Sequence, residues 1–251
     1  MSDSNPSSVT LSIDLELEIG RASASQLAWL DDLTPELVAL LDCHEIAATW
    51  AVADPARSAA TEVILSSAIG HEIAVLGDRS WLGWGAGGTR ANRELTRRIL
   101  GAAARQIAIR TLVLHNESSF ANGLPLAELG IRTIRQPIGH EVLRPVVLNG
   151  LSKGLTIAEQ VQRLLLPTWW SWWEGESQLP ARCRQRSLLP GNATCHLGIY
   201  AQQLCAAGPR GLHRLASLLA ELADLRNRST VQLQTLRAWS DRRRTPERRA
   251  A

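Results

Sequence analysis

The sequence has few of the residues that mark metal-binding or disulfide-rich proteins. Its 251 residues include four cysteines, at positions 43, 183, 195 and 205, and no two of them form a C-x-x-C pair. Structural zinc sites usually take their ligands from such closely spaced pairs. The spacing therefore argues against a structural zinc site, and burial in an apolar environment is the expected fate of Cys43 and Cys195.

The sequence also lacks the patterns of an export signal and of a membrane-spanning segment. Residues 1–8 are polar and lack the charged start, apolar stretch and small-residue cleavage site of an export signal. No apolar run is long enough to cross a bilayer. We therefore expect a soluble cytoplasmic protein without a membrane span, with its thiols reduced.

The charge is close to balanced, with a formal net charge of +3 at pH 7. A small net charge without a basic block in the fold gives no reason to expect a nucleic-acid partner. The one dense basic run lies at the C-terminal end of the sequence, at Arg242, Arg243, Arg244, Arg248 and Arg249. We expect residues 241–251 to form a frayed, solvated tail, with a phosphate-binding arm as the alternative.

Strand and helix patterns alternate along most of the chain. Residues 9–19 show the period-two pattern of a strand, and a helix beginning at Thr34 and Pro35 follows it. Further strands are predicted at 46–53, 72–76, 111–115, 131–136, 194–199 and 230–236, with helices at 55–69, 92–108, 124–129 and 211–225. Short connections between them predict parallel pairing, in a barrel or a doubly wound sheet, and we favour the barrel.

The predicted organisation is a disordered stretch over residues 1–8, one barrel domain over 9–240, and the basic tail. The segment 137–190 has no clear pattern and contains Trp169, Trp170, Trp172 and Trp173. Nine tryptophans stand against one tyrosine and one phenylalanine. Because tryptophan rings stack on sugars but also fill cores, the cluster is equally consistent with an exposed lid or interface and with core packing.

Six short motifs occur in an order that resembles the NodB homology domain of the polysaccharide deacetylases (carbohydrate esterase family 4). They read SIDLE at 12–16, LLDCHEIAATWAV at 40–52, IGHEIA at 69–74, ELGIRT at 128–133, CHLGIY at 195–200 and VQLQTL at 231–236. The resemblance implies an α/β fold of the deformed (β/α) barrel type. It also implies a site at the C-terminal ends of the strands.

In active relatives, as the resemblance implies, an aspartate and two histidines hold a divalent metal, and a second aspartate acts as base on the attacking water. Asp14 matches the base position, but Leu15 stands where the metal-binding aspartate is expected. The histidine positions fall on Leu76 and Ser80, or on Gly77 and Trp81 with a shift of one residue. Tyr200 stands at the position of the proton-donating histidine, and a phenol is a poor proton shuttle near neutral pH. The resemblance therefore implies impaired catalysis and no bound cofactor.

A different divalent metal site, for zinc or a similar ion, remains an alternative. Glu16, Asp78, His115 and Glu117 are expected near the same strand ends as Asp14, and their side chains are suitable ligands. More commonly such carboxylates cap helices or pair with arginines. His71, in the IGHEIA motif, is expected to have a structural role.

Two functions follow from the resemblance. The first is hydrolysis of the C–N bond in an N-acetylated sugar, with Asp14 as base. This chain would then be an impaired member of that class of hydrolases. The second is a non-catalytic barrel that binds a glycan or a protein partner, with Trp50, Trp81 and Trp84 in its mouth. The predicted ligand-binding residues are Glu16, Trp50, Asp78, Trp81, His115 and Glu117.

Overall fold

Nine strands and five helices make up the computed structural model of the described part of the chain. It describes residues 6–15, 24–77, 81, 88–114, 126–136, 156–159, 162–163 and 194–249. The strands are β1 (Ser7–Leu15), β2 (Thr49–Val52), β3 (Glu72–Gly77), β4 (Thr111–Leu114), β5 (Thr133–Gln136), β6 (Thr156–Glu159), β7 (Gln162–Arg163), β8 (Thr194–Tyr200) and β9 (Val231–Gln234). The helices are α1 (Ala24–Cys43), α2 (Ala59–Leu65), α3 (Gly88–Ala104), α4 (Ala201–Asn227) and α5 (Leu236–Arg249).

All the strand pairs are parallel, in the order β6-β5-β4-β3-β2-β1-β8-β7. The ninth strand, β9, lies outside this path. It pairs with the first half of β1, where Ser7 is opposite Val231, while β2 pairs with the second half, where Ser12 is opposite Thr49. Among the described residues, no pairing joins β6 to β7. The sheet therefore forms an open, deformed (β/α) barrel, as the sequence predicted.

The two faces of the sheet carry different side chains because neighbouring residues on a strand point to opposite sides. One face packs against the helices in the main core, to which Ile13, Leu15 and Trp50 contribute. The other face lines the interior of the barrel, which we call the lumen. Ala51 and Ala74 belong to a second, smaller apolar cluster on that face. These small side chains leave room for larger ones that enter the lumen from other strands.

Glycine is required where the chain turns into β5. Gly130 has a φ of +81°, and a Cβ at this position would lie 3.0 Å from the Arg110 guanidinium. The Gly130 amide closes the preceding turn on the Ala127 carbonyl, and Arg110 Nη1 donates to the Gly130 carbonyl. A side chain here would strain the backbone and displace Arg110. The helix that we predicted at 124–129 is only a turn in its described residues.

The C-terminal segment differs from the prediction. The frayed tail expected from residue 241 is a helix as far as Arg249. Its first turn is held from outside the segment, because Leu236 N donates to Thr49 Oγ1 at 2.9 Å and Arg237 N donates to Glu72 Oε2 at 2.9 Å. Because these partners lie far away in the sequence, the local composition did not reveal them. The run of arginines therefore suggested a solvated tail.

Two further boundaries were wrong. Helix α1 begins ten residues before the predicted cap at Thr34, and it continues through Pro35, whose ring lies on the exposed face of the helix. Strand β1 begins at Ser7 and its described residues end at Leu15. None of the helices in the described ranges is both long and apolar enough to cross a membrane.

Candidate functional site

The candidate site lies in the lumen at the C-terminal ends of β1, β5 and β8. Asp14, one residue before the end of β1, is opposite Tyr200 on β8 and opposite Ala51 on β2. Arg135, on β5, is opposite Val113 on β4. The site therefore brings together residues from distant parts of the sequence.

Arg135 crosses the lumen and forms an ion pair with Asp14. Its Nη2 atom donates to Asp14 Oδ2 at 2.5 Å, and its Nη1 atom donates to Ser12 Oγ at 2.6 Å. The Arg135 side chain is 0% exposed and the Asp14 side chain is 1% exposed. The bond between β1 and β5 is possible because Ala51 and Ala74 lie in the lumen between them. Asp14 is thus paired with a fixed cation inside the barrel.

The pair is not fully hydrogen bonded. Asp14 Oδ1 and Arg135 Nε have no hydrogen-bond partner among the described residues. Ser12 Oγ extends the network, because it donates to the Leu197 carbonyl at 3.2 Å while accepting from Arg135. A buried ion pair of this kind gains little net stability over apolar packing, but losing one partner is costly because the other charge stays buried.

Below the ion pair, His196 occupies the lumen as a neutral imidazole. Its Nδ1 atom shares a hydrogen bond of 2.6 Å with Thr10 Oγ1, and its ring meets the Trp239 ring edge-on with centroids 4.5 Å apart. Burial, followed by the charges of Arg243 and Arg135, lowers the pKa of His196 to about 4. The imidazole is therefore neutral at pH 7, with a proton on only one of its two nitrogens, and adds no charge beside Arg135.

Comparison with known proteins gives a match in fold. No family model matches the chain, and no curated protein does so either. A solved structure of a putative polysaccharide deacetylase from Mycobacterium smegmatis aligns over 98% of this chain and 93% of its own, with 16% identity and a TM-score of 0.62. This chain has the polysaccharide deacetylase fold.

Two other solved structures are more distant. A mutant of BA3943, described as a CE4 family pseudoenzyme with restored enzymatic activity, aligns over 94% of this chain and 68% of its own, with 11% identity and a TM-score of 0.48. The wild-type protein from Bacillus anthracis aligns over 92% of this chain and 63% of its own, with 11% identity and a TM-score of 0.41.

The described residues at the metal positions that the sequence resemblance implies do not suit a metal ion. Leu15 faces away from the lumen into the helix-facing core, as strand alternation from Asp14 requires. Leu76 is an apolar lumen residue, and Gly77 has no side-chain donor atom. Within the described ranges, no three His, Cys, Asp or Glu side chains come together as a metal site would need. Asp14, which stands at the expected base position, is already engaged by Arg135.

Two predicted ligand-binding tryptophans are core residues. Trp50 and Trp81 are 0% and 1% exposed, and both belong to the helix-facing core. The Trp50 ring meets His71 edge-on at 5.6 Å, and the Arg98 guanidinium lies 4.7 Å from the centre of the Trp81 ring. The prediction that these rings line the mouth was wrong, because strand alternation directs Trp50 outward from the lumen.

His71 lies at the opposite end of the barrel from Asp14, immediately before β3. Its Nδ1 atom accepts from Ala48 N at 3.1 Å, and its Nε2 atom lies 3.4 Å from Asp42 Oδ1. Burial lowers the pKa of His71, while the Asp42 charge and hydrogen bond act in the other direction. These contacts join the end of α1 to the start of β2, which supports the structural role expected for His71.

The remaining predicted residues divide into two groups. Tyr200 is described: it is buried, and it lies opposite Asp14 immediately before α4. Outside the described residues lie Glu16, Asp78, Ser80, Trp84, His115, Glu117 and the tryptophans at 169–173.

Arg135 is the residue that the sequence analysis missed. The general expectation that strand-end carboxylates pair with arginines applied to Asp14, but nothing indicated which arginine would do so. The available signal was an arginine inside an otherwise buried strand, TIRQ, where a charged side chain needs a partner. That partner is 121 positions away in sequence.

Proposed function

We propose that this chain is a polysaccharide deacetylase-like protein of carbohydrate metabolism in which metal-dependent deacetylation is impaired. The fold and the order of the motifs support descent from hydrolases of C–N bonds in N-acetylated sugars. The observation that carries the proposal is the ion pair between Asp14 and Arg135. It uses the one carboxylate that stands at the expected base position.

A general base must reach the proton that it removes, either directly or through one water molecule. Asp14 is buried, and its Oδ2 atom accepts the Arg135 guanidinium at 2.5 Å. A divalent ion next to Asp14 would also lie close to the guanidinium charge, and like charges repel strongly in a lumen of low dielectric constant. The arrangement therefore opposes both the proton transfer and the metal that the reaction needs.

The experiment is an assay of acetate release from N-acetylglucosamine oligosaccharides by the purified chain, with zinc, manganese or cobalt added in turn. We expect no release above that of the Asp14→Asn variant, which keeps the shape of the side chain but cannot act as a base. Release by the wild type that disappears in Asp14→Asn would refute impaired catalysis. A surface variant, Arg228→Ala, serves as the matched control for folding.

The alternative, a non-catalytic barrel that binds a glycan or a protein, now has less support from aromatic residues. Trp50 and Trp81 are buried in the core, so binding would depend on other residues of the mouth. A titration with acetylated and deacetylated oligosaccharides distinguishes the two functions. Saturable binding without acetate release would favour the binding barrel.

A further inference from the structure

The chain's own C-terminal helix closes the N-terminal end of the lumen. Leu236 and Trp239, in the first turn of α5, are 0% and 3% exposed. They form the smaller apolar cluster with lumen residues of β2, β3 and β4, namely Ala51, Ala74, Leu76 and Val113. This cluster is separate from the helix-facing core. The start of α5 therefore plugs the floor of the barrel.

Glu72, the first residue of β3, holds this plug from inside the floor. Its carboxylate accepts three hydrogen bonds, from Thr49 Oγ1 at 2.8 Å, from Thr111 Oγ1 and from Arg237 N at 2.9 Å. Thr49 Oγ1 in turn accepts from Leu236 N at 2.9 Å. The first backbone N–H groups of a helix have no partner within it and carry partial positive charge. Glu72 and Thr49 supply that partner for two of them.

We propose that α5 opens and closes the floor of the lumen as one unit, and that Glu72 links this motion to the binding of a proton. Helix α5 is the last element of the described chain, and it is attached by the small cluster, by the bonds at its first turn, by Trp239 Nε1, which donates to Thr194 Oγ1 at 3.2 Å, and by a bond from Arg242 to Gln232. Elements attached in this way open at a lower free energy than the whole fold. Departure of α5 would expose Glu72 to water and uncover His196, against which Trp239 packs.

The direction of the linkage follows from the surroundings of Glu72. Burial raises the pKa of its carboxyl in the docked state, and the bonds from Thr111, Arg237 and Thr49 and the charge of Arg237 act in the opposite direction. Thr49 on β2 and Thr111 on β4 are neutral, so Arg237 is the charged group that faces Glu72 from α5. His71, its neighbour in sequence, contacts Asp42 instead. With α5 released, the carboxyl regains its ordinary pKa, so the docked state binds the proton more tightly. Through Glu72, acid therefore favours docking and higher pH favours release, whereas His196, whose pKa is lowered to about 4 in the docked state, acts in the opposite direction.

The test is hydrogen exchange of the intact chain as a function of pH, with the protection of α5 amides corrected for the intrinsic exchange rate. The test uses a His196→Gln background, because release of α5 also uncovers His196, whose pKa is lowered to about 4 in the docked state and whose proton uptake opposes that of Glu72. Between the ordinary and the raised pKa of Glu72, we expect the opening constant of α5 in this background to rise with pH, by up to about tenfold per pH unit. The amides of α4 are the internal reference and should not follow. Adding Glu72→Gln, whose side chain cannot ionise, should remove the pH dependence. An opening constant that is independent of pH in His196→Gln, or that keeps its pH dependence in the double variant, would overturn the proposal.

Two further variants keep the test decisive if Glu72→Gln folds poorly. Thr111→Val removes a donor that lowers the pKa of Glu72, so the pH range of opening should move upward. Thr235→Val removes the acceptor of the hydrogen bond from Ala238 N to Thr235 Oγ1, which is 3.2 Å long. It leaves the hydrogen bonds of Glu72 in place. In this variant, the opening constant of α5 should be higher at every pH, and the pH range over which it changes should stay the same. An equal shift of this pH range in Thr111→Val and Thr235→Val would contradict a specific role of Glu72.

Discussion

Asp14 and Glu72 are buried carboxylates near opposite ends of one lumen, and their charges are compensated differently. Asp14 faces the guanidinium of Arg135 and a single serine completes the contact. Glu72 faces two hydroxyl groups and the first turn of a helix. The first arrangement supplies a whole opposite charge in direct contact, while the second supplies mainly dipoles, with the charge of Arg237 as the smallest contribution. Two buried carboxylates in one barrel are therefore compensated in different ways, one by a fixed cation and the other by hydrogen-bond donors at the floor.

The largest expected effect comes from removing the cation. Arg135→Met leaves Asp14 buried without its partner, and we expect it to lower the free energy of unfolding by about 3 to 5 kcal/mol. Denaturant unfolding measures this loss. The double variant Asp14→Leu with Arg135→Met removes both charges and should recover most of the stability. A loss below about 1 kcal/mol in Arg135→Met would show that Asp14 is compensated by something else.

The next effect concerns His196, a buried neutral imidazole that contacts Thr10 and Trp239. Because its pKa in the folded state is lowered to about 4, the unfolded chain takes up a proton first as the pH falls. The wild type should therefore lose about 3 kcal/mol of stability between about pH 6.5 and pH 4, relative to His196→Gln. Unfolding curves of both proteins across this range give the difference. Parallel stability profiles would mean that His196 is accessible to water in the folded state.

A smaller effect is expected at the floor. Thr49→Val keeps the size of the side chain but removes both the donor to Glu72 and the acceptor for Leu236 N. We expect a loss of about 1 to 3 kcal/mol, since two buried polar groups lose a partner. Thermal unfolding measures it, and exchange of the α5 amides should increase more than that of α4. An equal increase of amide exchange in α4 and α5 would show that the loss of stability is not confined to the floor of the lumen.

The smallest effect is expected from an ion pair outside the lumen. Arg228→Ala removes the exposed pair with Asp224, whose atoms lie 2.9 Å apart. Exposed pairs of this kind contribute about 0 to 1 kcal/mol. A larger loss of unfolding free energy, measured with denaturant, would show that an exposed ion pair stabilises the protein as much as the buried pair of Asp14 and Arg135.

Much of the fold could be predicted from local pattern. The alternation of strands and helices and the order of the motifs predicted parallel pairing and the barrel, and the position of Asp14 at the end of β1 followed from the first motif. Arg135 could not be assigned, because its partner depends on which strands face each other across the lumen. The helix at the C-terminal end was missed because its caps, Thr49 and Glu72, are tertiary partners.

The direction of side chains was the other source of error. Trp50 and Asp14 occur in motifs that both end at the C-terminal edge of the sheet, so both were expected in the mouth. Strand alternation separates them, since Trp50 belongs to the helix-facing core while Asp14 faces the lumen. Applying the period of two to each motif would have placed Trp50 correctly.

We infer that Arg135, and not a metal ion, compensates Asp14. Elemental analysis of the purified chain after equilibration with zinc and removal of free metal tests it most directly, with Asp14→Asn measured alongside. We expect no stoichiometric metal in either protein, and none in Arg135→Met, because the described residues bring no three metal-binding side chains together. About one ion per chain in the wild type, lost in Asp14→Asn, would show instead that a metal site exists around Asp14.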